Sequence, residues 1–281
     1  MTVSEPPAYT PRIYCIVAER RPVVAVIARG PSDWVRVGRW DVDGAHYEAG
    51  AWFHGRLFPQ RSDLSPDGRW FLYTAQKPGA DWAAGEIYSA ISRLPWLHAL
   101  AAWGAGTTYT RGARFDAHSQ GTCELGQPDV GSVPLVARLG IRLHAPIQFA
   151  VERHHGWTEA PDTPPRADGG PWDEQRPVTM VRRRPGADEQ LRVTGVYAAF
   201  RTGPHDPSAL RYDLVTARGV TSLHEAQWAD WAHDGRLLTA TTDGALTLSE
   251  LRGGEPEVTW RHDLGSARPD PSAPPPEARS W

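Results

Sequence analysis

At 281 residues, with 40% hydrophobic and 22% charged side chains, the chain can fill a large core and does not have the composition of a disordered polymer. A formal net charge of −3 excludes a global field that would draw it to nucleic acid or an anionic membrane. Its 27 glycines and 26 prolines predict many short elements separated by turns.

Residues 1–11 are polar and proline-bearing and read as a flexible lead-in. "RIYCIVAE" and "PVVAVIAR" follow, two β-branched runs at hairpin spacing. "WVRVGRWDV" at 34–42 alternates in part with period two, which directs Val35, Val37 and Trp40 to a core, and Asp43-Gly44 then supplies a turn. A longer connection through "HYEAGAWFHGRLFPQRSD" leads to "LSPDGRWFLYTA", where Asp67-Gly68 turns the chain straight into a strand. Strands are expected at 86–92 and 96–103, the latter rich in Ala and Leu that equally suit a short helix, and again in "LVARLGIRL" and "PIQFAVERH". Residues 159–176, rich in Pro, Gly and charge, form a long loop. "PVTMVRRR" pairs with "QLRVTGVYAAF", and "LRYDLVTA" precedes "WADWAHDGRLLTATTDGALTLSEL", whose halves can form a hairpin through Asp243-Gly244. Residues 266–281 make a proline-rich tail expected to stay unstructured. No long amphipathic helix interrupts the series, so the fold class is all-β.

Two stretches carry a family resemblance. One runs from "WVRVGRWDVDG" through His54 to "DLSPDGRWFLYTA", and the other is "AQWADWAHDGRLLTATTDGALTLSEL". Both resemble WD-repeat β-propellers: Trp40-Asp41 matches the repeat's dipeptide, while Pro66-Asp67-Gly68 and His233-Asp234-Gly235 match its turn. Asp67 and Asp234 stand four steps of about 42 residues apart, within the repeat length of such proteins. The resemblance covers about a quarter of the chain, and residues 78–220 lack its signatures. It implies one β-propeller over residues 12–265, built of antiparallel four-stranded blades, about six in number, with five or seven also compatible. Trp40, Trp70, Trp228 and Trp231 would then fill the wedges between blades. The N-terminal part, from "RIYCIVAE" to "LSPDGRWFLYTA", also resembles uncharacterised bacterial proteins.

Reactive side chains are scattered. "FDAHSQGTC" gathers Asp116, His118, Ser119 and Cys123, yet nothing nearby supplies an oxyanion hole. His154 and His155 read as neighbours on a strand, pointing to opposite faces, so at most one would serve a given metal, and no His or Cys spacing completes a ligand set. Neither a metal nor a cofactor is therefore expected. Nucleotide and hydrolase signatures are absent as well, so an enzyme is not the expected outcome.

Arg182, Arg183 and Arg184 form the sharpest basic run. The chain has no Asn and a single lysine, Lys77, a usage that a GC-rich bacterial genome explains without phosphate binding. Nucleic acid is thus not an expected partner. Cys15 and Cys123 are too few for a disulfide framework, no run of apolar residues suits a membrane span, and the N-terminus lacks a signal-peptide pattern, so a cytoplasmic setting is expected. The leading expectation is a non-enzymatic scaffold that binds a protein or peptide through its loop-lined face, with Trp172 and Arg182–Arg184 as contacts. Its alternative is an enzyme or sugar-binding propeller whose central pocket uses Asp116, His118 and His154.

Overall fold

The structure is a computed structural model that describes residues 9–30, 32–108, 110–132, 136–144, 147–161, 163, 176–197, 210–265 and 267–281. Strands account for 49% and helices for 8%, which establishes the all-β class. These residues form five antiparallel sheets, the second and third interleaved along the chain.

Strands β1 (Arg12–Val17), β2 (Val23–Arg29), β3 (Trp34–Asp41) and β4 (His46–His54) make the first sheet, paired in sequence order. Every residue of β1 after Arg12 is buried, as are all of β2 before Arg29, because both faces of these strands are covered and the continuous apolar runs suit that placement. The β3–β4 turn is held by Asp41, whose carboxylate accepts from the Gly44 amide at 3.0 Å.

β5 (Arg56–Leu57), β6 (Asp63–Leu64), β7 (Trp70–Gln76), β8 (Ile87–Arg93) and β9 (Ala101–Gly104) build the second sheet around β7. Its entry turn explains the "LSPDG" stretch. Gly68 adopts φ +71°, the Ser65 hydroxyl donates to Asp67 at 2.6 Å, and the amides of Arg69 and Trp70 donate back to Asp67 and Ser65. The expected strand at 96–103 is confined to its last residues. Trp96, Leu97, His98 and Ala99 instead belong to an irregular segment.

β10 (Gly112–Phe115) leaves this sheet, β11 (Val130–Gly131) returns to its edge beside β9, and after helix α1 (Val136–Leu139) strand β12 (Ile141–His144) pairs with β10 as a two-stranded ribbon. "LVARLGIRL" is therefore a short helix and a strand, broken at Gly140, whose φ is +68°. "PIQFAVERH" is not a strand either: it carries helix α2 (Ala150–His154). The fourth sheet comprises β13 (Thr158–Glu159), β14 (Val178–Arg183), β15 (Gln190–Gly195), β16 (Leu210–Thr216) and β17 (Gly219–Ser222). The fifth comprises β18 (Ala226–Trp231), β19 (Leu237–Thr241), β20 (Ala245–Arg252) and β21 (Glu255–Asp263).

Polar ties join the sheets in a series. Arg20 donates its amide to the Pro66 carbonyl between the first and second sheets at 2.8 Å. Arg182 pairs with Asp230 between the fourth and fifth. The fifth sheet in turn meets the first. Gln227 on β18 accepts from the Ile13 amide at 2.9 Å and donates to the carbonyls of Pro11 and Thr241 at 3.1 and 2.7 Å. Trp40 on β3 stacks on Trp260 on β21 with ring centroids 5.2 Å apart. Trp40, Trp70, Trp228 and Trp231 are all buried, so their weight goes into packing.

One hydrophobic cluster runs through the first, second, fourth and fifth sheets, and a smaller one packs the second sheet on the β10–β12 ribbon. The tail departs from its expected disorder. Ala278 is 1% exposed in a short 3-10 turn at Pro276–Arg279, and the Trp281 ring lies 5.3 Å from Trp70. Apolar residues at its end give the proline-rich segment something to bury.

Candidate functional site

Two places combine unusual chemistry with a defined shape. The first is a cleft of about 480 Å³ between the first and second sheets. Trp52 and Phe53 of β4 and Tyr73 and Tyr88 of β7 and β8 line it, together with Trp82 and the irregular segment Trp96–Ala99. Trp82 is fixed in place: its indole N–H donates to the Gly85 carbonyl at 2.6 Å and its ring meets Tyr88 edge-on at 4.6 Å. Trp52 carries the Arg36 guanidinium 5.3 Å above its ring and is met edge-on by Trp34. Exposed Lys77, Asp81 and His98 place polar groups among these aromatics. Ser272 and Pro274 of the chain's own tail also line the cleft. A rigid aromatic trough with polar groups at intervals suits flat or ring-bearing apolar groups, proline above all.

The second place is a buried polar centre where the second sheet meets α2. Gln60, Arg61, Ser62 and Asp63 are all buried, an uncommon density of polar side chains in one tetrapeptide. The Gln60 amide donates to Glu152 at 2.8 Å and to the Tyr14 hydroxyl at 3.1 Å, and Tyr14 donates to Glu152 at 3.0 Å. Burial raises the Glu152 carboxyl above the usual range, against the lowering effect of those bonds. Arg61 donates to the Thr108 carbonyl and lies over the Phe58 ring at 4.8 Å, and burial pushes its guanidinium down to about 10.

Asp63 is the hub of the other half of this centre. Its side chain is 3% exposed and accepts from the amides of Leu64 at 2.8 Å and Phe115 at 2.7 Å. His155 Nε2 lies 2.8 Å from Asp63 Oδ1, and His154 Nε2 lies 3.7 Å from Oδ2 and 3.0 Å from the Phe115 carbonyl. Burial pushes the Asp63 carboxyl up, but the His155 bond, both imidazoles and the Phe115 amide outweigh it and leave it below its usual value. Burial likewise pulls His155 down, and the Asp63 bond and charge outweigh it, so His155 is raised. His154 is lowered because burial dominates the pull of Asp63.

The residues singled out in the sequence are dispersed. Asp116 caps the 3-10 turn at Ala117–Ser119 by accepting from the His118 amide at 2.9 Å and the Ser119 hydroxyl at 2.9 Å, while His154 belongs to the Asp63 hub. The two histidines are not on a strand. They occupy the last position of α2 and its cap, so both rings reach the same carboxylate. Of the arginine run, Arg182 pairs with Asp230 and Arg184 donates to the Gly235 carbonyl at 2.8 Å, which commits both to the joint between the fourth and fifth sheets. Arg183 is the member that faces outward, its side chain 68% exposed. Trp172 and most of the 159–176 loop lie outside the described residues. Sequence reasoning missed Asp63, Gln60 and Glu152, because a buried polar run looks like a surface connection until its partners are known. It also missed Trp52, Trp82 and Trp96, whose common cleft is assembled from three segments.

The chain matches no family model, and no curated protein matches it. Among the described residues no helix is long and apolar enough to cross a membrane.

Proposed function

We propose that the chain is a β-propeller scaffold of the WD-repeat-like kind that binds an extended, proline-bearing segment of a partner protein in the aromatic cleft. Antiparallel sheets, four of them with four or more strands, support the propeller reading, and the ties from β1 to β18 support a ring that meets its own beginning. Four sheets carry four or more strands, below the expected five to seven blades, and the two-stranded β10–β12 ribbon stands in the place of a fifth. The proposed setting is the bacterial cytoplasm, which the two free cysteines, Cys15 and Cys123, support.

One observation carries the binding reading: Pro274 of the "DPSAPPPEAR" segment lies at the cleft wall beside aromatic rings. Extended proline segments enter such troughs at low entropic cost because their backbone is already stiff. Isothermal titration of the full chain with a synthetic DPSAPPPEAR peptide provides the test, with Trp82→Ala and a peptide whose prolines are replaced by alanine as controls. Saturable binding that falls roughly tenfold or more in Trp82→Ala is expected, the loss of one aromatic anchor. Equal binding of the two peptides, or none, overturns the reading. Saturable binding of a soluble oligosaccharide in place of the peptide would replace it with a sugar-binding one, since tryptophans also suit sugar rings.

A further inference from the structure

We propose that Asp63, His154 and His155 form a binding site for a divalent transition-metal ion, zinc foremost. Among the described residues these three can each offer a ligand atom, and the atoms all lie within 4.8 Å of one another. At metal–ligand distances of about 2.0–2.2 Å, neighbouring ligand atoms of a tetrahedral ion are spaced roughly 3.3–3.6 Å apart. His155 Nε2 stands 2.8 Å from Asp63 Oδ1 and His154 Nε2 3.7 Å from Oδ2, so the set closes on a common centre when His155 draws back slightly and His154 gives up its 3.0 Å contact with the Phe115 carbonyl.

Local structure explains how adjacent residues serve one ion. Where α2 ends, His155 takes φ −89° and ψ 27°, and the two imidazoles meet edge-on with centroids 5.1 Å apart while both face Asp63. An extended strand would have parted them. Two imidazoles and one carboxylate are a borderline donor set, which selects zinc and neighbouring first-row ions over calcium or magnesium, whose sites are built of oxygen.

The surroundings meet the further requirements of such a site. Asp63 is oriented by the amides of Leu64 and Phe115, the supporting layer that metal-binding carboxylates need. Glu19 Oε1 lies 3.9 Å from His154 Nε2 with its side chain 40% exposed, and the His154 side chain is itself 17% exposed. That side is the route of entry, and Glu19 or a water completes the coordination there. The ion would join β6, the end of α2 and the β1–β2 connection.

Zinc alone is the probe. The full chain is stripped with a chelator, dialysed and titrated with ZnCl2 against a chromophoric competitor, and cobalt is substituted for its visible spectrum. Wild type is expected to take one ion per chain, with a cobalt spectrum of a four- or five-coordinate centre and a rise in thermal midpoint on loading. His154→Gln and His155→Gln should each weaken zinc by roughly tenfold or more and abolish that rise. Asp63→Asn alters a buried hub, so partly exposed His154 is the decisive position for a folded variant. Absence of stoichiometric binding by wild type overturns the proposal. So does binding by folded His154→Gln that equals wild type, because a hydrogen-bonded latch would then be the whole role of the cluster. Peptide binding in the cleft is read separately, so failure of either idea leaves the other standing.

Discussion

Gly38 shows how tightly single atoms are accommodated. A Cβ built there would lie 2.1 Å from the Tyr47 hydroxyl and 2.4 Å from its ring, although Gly38 needs no unusual backbone angle. Tyr47 is buried and its ring is 4.6 Å from His262 of the fifth sheet, so it can yield only by disturbing the contact between first and last sheets. Gly38→Ala is accordingly expected to cost about 1–3 kcal/mol, an overpacking penalty. Urea unfolding of the two proteins measures it, and an unchanged midpoint would mean that Tyr47 is not confined as described. Trp40 and Asp41 on the same strand divide their labour: the indole is buried against Trp260, and the carboxylate closes the next turn.

Among the elements, the tail yields the clearest expectation. Residues 267–281 lie across the second sheet, with Ala278 buried, Trp281 on Trp70, and Pro274 in the aromatic cleft. Ending the chain after Gly265 should therefore lower the thermal midpoint, reflecting a stability loss of about 1–3 kcal/mol from buried Ala278 and the Trp281 contact. The same deletion should tighten binding of the added DPSAPPPEAR peptide, because the tail's own Pro274 no longer holds the part of the cleft wall where the peptide's proline docks. Weaker binding on deletion would show that the tail forms part of the site and does not compete for it. Strands were legible wherever the information was local: β1, β2 and β14 announce themselves by apolar, β-branched runs, and β7 and β18 to β20 also by the Asp-Gly turns beside them. Helix α2 was not, because five residues are too few to show a helical period or to nucleate on their own. What fixes it is remote. The Val151 amide donates to Gln60 at 3.3 Å and Glu152 bonds both Gln60 and Tyr14, partners 91, 92 and 138 positions away. The Asp63 cluster was hidden for the same reason, and the cleft because its tryptophans come from a strand and two loops.

For the molecule as a whole, the contact between β1 and β18 decides whether five sheets behave as one body. Gln227 spends its amide oxygen and nitrogen on Ile13, Pro11 and Thr241. Gln227→Ala removes three bonds and leaves the Ile13 amide wanting an acceptor, so a loss of about 1–3 kcal/mol is expected. If the seam unites the molecule, differential scanning calorimetry of wild type should give a single transition that shifts in Gln227→Ala without splitting. Two transitions in the wild type would instead describe sheets that melt apart. The seam also sets an order of events during translation. Ile13 leaves the ribosome more than two hundred residues before Gln227, so β1 must wait, with one flank uncovered, until β18 has been made. Throughout that interval the nascent chain is exposed to mispairing along β1.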